Sequence, residues 1–493
     1  MFIMGESENI SISLDTTLLR KQFIQGLNGS TMSDVIIFSS QFPLLTFVAV
    51  SFEFFTLKKL QLTSFKISNT PKSLYSSIFV YLLETLMIVL PVTAMFTFFS
   101  AYINIFFFVM VGLITAIVIS CVSSVDDNVL YWKLTNLKQE LMYKEISCKK
   151  QLYITYFRSF VLLVTAVSIL GVDFHIFPRR FAKTETYGVS LMDIGVGMFV
   201  ISNALVEKQT SGTFTWKKTV MSSLVLLSIG IMRCLLIQNL DYQMHVSEYG
   251  RHWNFFITLA FTKLLSTLFC ITFRGHSLVT GIVLVLIHQY LLSHSLESFV
   301  FGNNDRKNWF TANIEGIVSL SGYLGLHMIG IAVGNFLNPR DKYLQTKHKM
   351  KAILIFSVTS VFLFFTLYYF ESADIKVSRR LANLPYVLWI TAISLELLVL
   401  FLLIEFTLYW LLPIEPQYRN KLYYILTPVV LEGINFNGLL FFLVSNLITG
   451  LINICIDTFS SSLWTSSFIL LAYMFVDCAM VFFLYVFNIR LQW

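Results

Sequence analysis

The stretch SFVLLVTAVSILGV, residues 159–172, decides the fold class of this chain. It is apolar apart from three small hydroxyl residues, and its polar and apolar positions do not alternate. The strands of a membrane β-barrel alternate over about 10 residues, whereas a helix that crosses the hydrocarbon core needs about 20 mostly apolar residues. Because only helices and closed barrels span membranes, the run predicts a transmembrane helix over 154–172.

The rest of the chain repeats this pattern. We predict an all-α, polytopic integral membrane protein with about 13 transmembrane helices, in which a polar N-terminal segment, 1–33, precedes a single multi-span membrane domain, 34–493. The second and third segments are nearly continuous, so a count of twelve also fits. The candidate spans are 34–55, 74–98, 101–122, 154–172, 189–206, 218–238, 254–273, 277–295, 314–336, 351–370, 385–411, 436–456 and 463–488.

Composition leads to the same class. Of 493 residues, 56% are hydrophobic and only 13% charged, and 48 are Phe. A soluble protein carries about 25% charged residues, so this chain cannot cover a water-facing surface, and soluble, disordered and nucleic-acid-binding classes are excluded. The six cysteines are scattered, and we expect neither disulfides nor a metal site.

The distribution of Lys and Arg predicts the orientation. The linkers after odd-numbered spans, together with the C-terminus, carry 21 of these residues, and the opposite side carries 11. Short loops rich in Lys and Arg stay in the cytosol. We therefore expect a cytosolic C-terminus and an N-terminus on the opposite, lumenal side.

Four loops on the lumenal side mix Arg, His, acids, amides and aromatic residues, unlike the lysine-rich cytosolic linkers. Such side chains suit a ligand with anionic, hydroxylated and apolar parts. The predicted topology brings all four to one face of the membrane. The loops are DFHIFPRRFAKTETYG (173–188), NLDYQMHVSEYGRHWN (239–254), FGNNDRKNWFTANIEG (301–316) and VSRRLANLPY (377–386).

Asp173 and Lys183 are the strongest candidates for chemistry. Asp173 directly follows an apolar run, and partial desolvation there raises the pKa of a carboxylate and strengthens it as a base. Lys183 supplies a cation ten residues later, but Pro178 rules out one unbroken helix between them. The segment must fold back if the two are to cooperate, and a purely structural ion pair is the alternative.

Other residues of these loops are candidates for substrate binding. Guanidinium groups bind phosphate in a bidentate manner, although Arg pairs beside a membrane often contact only lipid headgroups. The amides, acid and imidazoles suit polyol and amine groups. The predicted binding residues are Arg179, Arg180, His245, Glu248, His252, Asn254, Arg379, Arg380 and Asn383.

Several long motifs resemble the inositol acyltransferases of glycosylphosphatidylinositol (GPI) anchor synthesis, of the fungal Gwt-type and the animal PIG-W-type. The likeness extends from near residue 20 to the C-terminus. The matching motifs are F-I-x-G-L-N-G (23–29), D-F-x-I-F-P-R-R-F-A-K-x-E-T-x-G-x-S-L-M-D-x-G-V-G (173–197), L-x-Y-Q-x-H-V-x-E-Y-G-x-H-W-N-F-F (240–256), W-F-x-A-N-x-E-G (309–316), V-S-R-R-x-A-N-L-P-Y (377–386) and N-G-L-x-F-F-L (437–443).

The resemblance implies an enzyme of the endoplasmic reticulum with thirteen spans. It implies transfer of a fatty acyl chain, usually palmitoyl, from acyl-CoA to an inositol hydroxyl of glucosaminyl-phosphatidylinositol. It also implies that Asp173 and Lys183 are the essential acid and base. The expected partners are acyl-CoA, glucosaminyl-phosphatidylinositol and membrane lipid, with no bound cofactor, no nucleic acid and no obligate protein partner.

The predicted mechanism uses Asp173 as general base, with Lys183 orienting it and stabilising an oxyanion. No Ser or Cys nucleophile is indicated, so direct transfer is expected rather than an acyl-enzyme. The competing interpretation is a polytopic lipid or anion transporter, which also carries charges within its spans and polar re-entrant loops. A non-catalytic assembly subunit is a third interpretation, and the reactive groups in all four loops argue against it.

Overall fold

A computed structural model of the chain describes residues 23, 27–59, 74–123, 150–207, 216–238, 248–273, 275–302, 306–337, 345–412 and 422–491. Every predicted span contains an apolar helix in these ranges. In chain order they are α1 (Met32–Lys59), α2 (Tyr75–Met95), α3 (Ile103–Ser123), α4 (Leu152–Gly171), α5 (Leu191–Ala204), α6 (Trp216–Gln238), α7 (Phe255–Thr272), α8 (Ser277–Phe301), α9 (Ile314–Leu337), α10 (Gln345–Ser372), α11 (Leu384–Leu411), α12 (Gly438–Cys455) and α13 (Leu463–Val486).

Twelve of these helices are long and apolar enough to cross a membrane, which confirms an all-α polytopic fold. The exception is α5, which has 14 residues and is about 21 Å long at 1.5 Å per residue, short of a hydrocarbon core of about 30 Å. Val189, which the sequence placed in this span, instead forms an isolated antiparallel bridge with Ser30. The second and third spans are separate helices, parted by turns around Phe96–Tyr102.

Shorter helices connect the long ones. Trp309–Ala312 precedes α9, and Leu422–Leu426 and Val429–Phe436 lie between α11 and α12. The carboxylate of Glu84, in α2, accepts hydrogen bonds of 2.7 Å from the backbone N–H groups of Val429 and Val430. The Glu84 carboxylate thus pairs with N–H groups that have no partner within their own helix. This is expected for a charged group in a span, which must face the bundle interior.

The core is built around α1, α4 and α11, which are largely buried. Their aromatic side chains interlock: Phe42 lies 4.9 Å from Phe160 and 6.2 Å from Phe401 between ring centroids. The outer helices α3, α6, α10 and α12 are mostly unburied within the protein. They present large apolar side chains such as Phe108 and Phe365, at 72% and 70% exposure, which suit a lipid surface.

The described parts of the four polar loops meet at one end of the bundle, as the sequence predicted. The backbone N–H of Gly188 donates to the carbonyl of Val377 at 2.9 Å, which joins the first loop to the fourth. The N–H of Arg251 donates to the carbonyl of Ala312 at 2.8 Å, which joins the second to the third. Ion pairs between side chains of different loops complete the assembly.

Candidate active site

Arg179 holds the loop after α4 in shape. Its guanidinium donates to the backbone carbonyls of Val172 (2.7 Å), Phe174 (3.2 Å) and Phe177 (3.3 Å). These bonds hold the backbone from Val172 to Phe177 around one side chain. Much of the hydrogen-bonding capacity of Arg179 therefore serves the backbone. Its neighbour Arg180 is exposed, although one nitrogen of its guanidinium donates to the backbone carbonyl of Ser100.

Asp173 lies at the start of this loop, half-buried. Its Oδ2 accepts a hydrogen bond of 2.8 Å from Nδ2 of Asn453, near the end of α12. Burial raises the pKa of the Asp173 carboxyl, and the bond from Asn453 and the charges of Arg179 and Lys183 oppose that effect without cancelling it. The direction agrees with the sequence-based expectation, and Lys183 is one of the two cations that favour the ionised carboxylate.

The ammonium of Lys183 forms an ion pair with Glu248, at 2.7 Å between Nζ and Oε1. The same Glu248 oxygen accepts from Nη1 of Arg379 at 3.2 Å. Burial alone would raise the pKa of Glu248, but the charges of Lys183 and Arg379 outweigh it and hold the pKa at about 2. Lys183 was expected to orient Asp173 directly. Its ion-pair partner is instead Glu248, a residue predicted to contact substrate.

Asp193 and Arg379 form the buried centre of the loop assembly. Both are almost inaccessible to solvent, at 1% and 4% exposure, and Nε of Arg379 lies 2.7 Å from Oδ1 of Asp193. The Asp193 carboxylate also accepts from the hydroxyls of Thr184 and Ser190, both at 2.8 Å. Arg379 was expected to bind phosphate, and binding one would require this buried ion pair to open.

Arg380 is likewise paired with a carboxylate. Its Nη2 lies 2.7 Å from Oε1 of the fully buried Glu315, and Arg306 reaches the same oxygen at 2.6 Å. The guanidinium of Arg380 also lies over the ring of Phe301, 5.0 Å from its centroid. Two cations thus share one buried carboxylate, and a phosphate at this position would have to compete with Glu315.

The predicted amide ligands are helix caps. Asn254 begins α7 by accepting hydrogen bonds from the N–H groups of Phe256 and Ile257, and Asn383 begins α11 by accepting one from Tyr386. Both side chains are buried in these roles, and their contact with a polyol stays a prediction.

The two candidate histidines differ in what the structure shows of them. His252 is half-buried, and its backbone N–H donates to Oδ1 of Asn313 at 2.7 Å. His245 lies outside the described residues.

The N-terminal motif packs against the loop after α4. The ring of Phe23 lies 4.3 Å from His175 and 3.9 Å from the guanidinium carbon of Arg179. Gly29 has a φ of +81°, and a Cβ there would lie 2.3 Å from the carbonyl oxygen of Val189. This close approach explains a glycine in the motif at 23–29, and the contacts place Phe23 and Gly29 against residues 175–189.

Sequence reasoning did not assign Asn453, Thr184 or Glu315 to the site. Asn453 lies in the predicted span 436–456 and outside the motifs and loops from which the candidates were drawn. Its contact with Asp173 joins positions 280 residues apart, and no local pattern encodes such a pairing.

Comparison with known proteins identifies the family. The sequence model of the GWT1 family matches residues 17–484. The GPI-anchored wall transfer protein 1 of Yarrowia lipolytica is 36% identical over 70% of this chain and 74% of its own length. The human glucosaminyl-phosphatidylinositol-acyltransferase PIGW is 34% identical over 72% of this chain and 76% of its own. The Saccharomyces cerevisiae GPI-anchored wall transfer protein 1 is 34% identical over 71% and 76%. The chain therefore belongs to the GWT1 family.

Proposed function

We propose that this protein transfers a fatty acyl group, palmitoyl by expectation, from acyl-CoA to an inositol hydroxyl of glucosaminyl-phosphatidylinositol in the endoplasmic reticulum membrane. The name of the human relative supports the acceptor lipid and the acyl transfer. The observation that carries the proposal is the half-buried Asp173 carboxyl with a raised pKa, on the same face as the Lys183 ammonium. Acyl transfer to an alcohol requires a base for the hydroxyl proton and a positive charge near the oxyanion that forms.

Asp173 is the proposed general base. It takes the proton of the inositol hydroxyl as the oxygen attacks the thioester carbonyl, which gives a tetrahedral oxyanion. Collapse of the oxyanion breaks the C–S bond, and the CoA thiolate leaves and takes up the proton. A positioned base contributes about 10²–10⁴-fold to the rate, and burial improves Asp173 in this role because a higher pKa makes it a stronger base.

Lys183 is the proposed stabiliser of the oxyanion. Its side chain is 39% exposed, so its ammonium can face a bound substrate while Glu248 holds it from one side. One donor to an oxyanion contributes about 10²–10³-fold. Glu248 then acts through Lys183, as a positioning residue rather than as a ligand of the polyol.

Arg180 is the proposed contact for a phosphate of CoA or of the lipid, because it is exposed, whereas Arg379 and Arg380 are held in ion pairs with carboxylates. The acyl chain is expected among the Phe-rich helices, where each buried methylene contributes about 0.8 kcal/mol. The excess of Lys and Arg in the other linkers supports a lumenal site, with the N-terminus lumenal and the C-terminus cytosolic.

The test is a reconstituted reaction. Purified protein in detergent is mixed with palmitoyl-CoA and glucosaminyl-phosphatidylinositol, and mass spectrometry follows a product heavier by one acyl group. We expect Asp173→Asn and Lys183→Ala to lose most of the transfer at unchanged abundance. The matched controls are Asp374→Asn and Lys376→Ala, which change the same residue types in an exposed loop and should leave the rate unchanged.

The other interpretations predict different results. A transporter would form no product but would move labelled lipid or anion across proteoliposomes. A non-catalytic assembly subunit would do neither. Near-wild-type transfer by both Asp173→Asn and Lys183→Ala would overturn the assignment of the catalytic pair, and trapping of an acylated protein would overturn direct transfer.

A further inference from the structure

Asn453 and Asn446, which lie on the same helix α12, use their side-chain amides differently. Within a helix, a polar side chain commonly bonds the carbonyl four residues earlier. Asn446, two turns earlier on α12, does so: its Nδ2 donates to the carbonyl of Phe442 at 2.7 Å. Asn453 instead directs Nδ2 out of its helix to Oδ2 of Asp173 at 2.8 Å. The amide thus fixes the rotamer of the proposed base.

The other end of the Asn453 amide is unsatisfied. Its Oδ1 is inaccessible to solvent and has no hydrogen-bond partner among the residues that the structure describes. A buried acceptor without a donor is unfavourable, and native proteins seldom leave one unexplained. Because the other end of the same amide is bonded to Asp173, this free acceptor lies beside the carboxylate that must take a proton from the substrate.

The surroundings indicate which donor fits. The charged groups that influence Asp173 are Arg179 and Lys183, and the His175 ring lies two residues along the loop. Two neighbouring cations disfavour an ammonium group as the donor. A neutral hydroxyl meets no such repulsion, and a polyol ring presents hydroxyls on adjacent carbons, so one can reach Asp173 while its neighbour reaches Asn453.

We infer that Asn453 positions Asp173 through its amide nitrogen and binds, through its carbonyl oxygen, the inositol hydroxyl adjacent to the one that reacts. This inference rests on the proposed function, since it assigns a second contact to the same acceptor ring. Asn453 is therefore a specificity residue for the acceptor lipid and has no part in binding the acyl donor.

The experiment compares Asn453→Ala with Asn446→Ala in the reconstituted reaction. Two acceptor lipids are used, the complete one and an analogue that lacks the adjacent hydroxyl. A neutral hydrogen bond of ordinary strength corresponds to about a tenfold change. We expect Asn453→Ala to raise KM for the complete lipid about tenfold and to leave KM for acyl-CoA unchanged. The analogue should be about tenfold poorer with the wild type and Asn446→Ala, but not with Asn453→Ala.

A second variant separates the two roles and preserves the shape of the side chain. Asn453→Asp keeps an oxygen acceptor but loses the donor and adds a carboxyl beside Asp173. We expect it to retain discrimination against the analogue, while the acid limb of its pH–rate profile moves to higher pH because like charges disfavour ionisation. If the amide of Asn453 were merely structural, a variant with the wild-type melting temperature would keep both the wild-type pH–rate profile and the wild-type discrimination against the analogue.

The outcomes are distinguishable. If the wild type transfers acyl groups but discriminates no better than Asn453→Ala, or if Asn453→Asp keeps the wild-type pH profile, the inference about Asn453 is overturned and the proposed function stands. If the wild type forms no product with either lipid, both fall.

Discussion

Asp173 and Asp193 are two aspartates of one motif, twenty residues apart, and the fold treats them in opposite ways. Asp193 is buried and accepts hydrogen bonds from Arg379, Thr184 and Ser190. Asp173 is half-buried, has one hydrogen bond from a neutral amide, and has a raised pKa. The comparison teaches that the fully paired carboxylate organises the loops, whereas the sparsely paired one keeps the capacity to take up a proton.

The same contrast extends to the cations. Arg379 is enclosed between two carboxylates, Asp193 and Glu248. Lys183 shares one of those carboxylates but is 39% exposed, against 5% for Arg379. Glu248 therefore links the two regions: one of its cations is structural and the other is available to a substrate.

The sharpest test of this contrast is Asp173→Asn. We expect turnover to fall about 10²–10⁴-fold because the amide cannot accept the hydroxyl proton, while the melting temperature stays near that of the wild type. Acyl transfer and thermal unfolding are measured on the same preparation. A large loss of stability would contradict the distinction, since it would give Asp173 the role assigned to Asp193.

Asp193→Ala should have the converse effect. The change removes one of the two carboxylates that pair with the buried Arg379 and leaves the hydroxyls of Thr184 and Ser190 without their acceptor. Breaking a buried ion pair in this way lowers the free energy of unfolding by about 3–5 kcal/mol. Chemical denaturation in detergent measures this. Asp374→Asn is the control, because that residue is exposed, Asn tolerates its positive φ of 59°, and the change should alter stability by about 0.5 kcal/mol or less. Equal stability of the two variants would refute a structural role for Asp193.

Glu248→Gln tests the link between the regions. The neutral amide weakens the hold on Lys183, and loss of a charged hydrogen bond should lower turnover about tenfold without changing KM for acyl-CoA. Glu371→Gln, an exposed change of the same type, is the control. An unaltered turnover would show that Lys183 needs no positioning by Glu248.

The stability that Glu248 contributes should also depend on pH. Its folded pKa of about 2 lies below the unfolded value of about 4.3, so its contribution to stability is complete above the unfolded value and is lost as pH falls towards 2. The difference in melting temperature between the wild type and Glu248→Gln should therefore shrink between pH 5 and about pH 2. A constant difference across this window would contradict the ion pairs with Lys183 and Arg379.

The smallest expected effect concerns the N-terminal segment. Gly29→Ala places a side chain at positive φ and against the Val189 carbonyl, which should destabilise the protein by about 1–2 kcal/mol. The control is Gly112→Ala in α3, where a Cβ meets nothing within 4 Å. If Gly29→Ala unfolds at the wild-type temperature, the docking of this segment against Val189 contributes little.

Much of the fold was predictable because the membrane imposes it. Hydropathy located each of the helices α1 to α13, since each span must satisfy its own backbone in a medium without water, but not the short connecting helices such as Val429–Phe436. It failed on the length of α5, where Val189 pairs with Ser30, because a hydropathy window does not register pairing with a distant segment. Charge counts gathered the four loops on one face, which the contacts confirm.

The roles inside the site were less predictable. Asn254 and Asn383 were predicted to contact substrate, which stays a prediction, and the structure shows that both cap helices. An amide suits both purposes, so the sequence did not indicate the capping role. Arg379 and Arg380 looked like phosphate sites and are paired with carboxylates, Asp193 and Glu315, that lie far away in the sequence.

The sequence by itself determined the class of protein, the number and place of its helices, and the stretch in which chemistry was to be sought, because hydrophobicity and local charge act through neighbours along the chain. Only the tertiary structure decided which of two aspartates is left weakly paired and which cation serves each carboxylate. Those choices depend on burial and on partners tens to hundreds of residues apart, and desolvation and electrostatic pairing are set by distance in space.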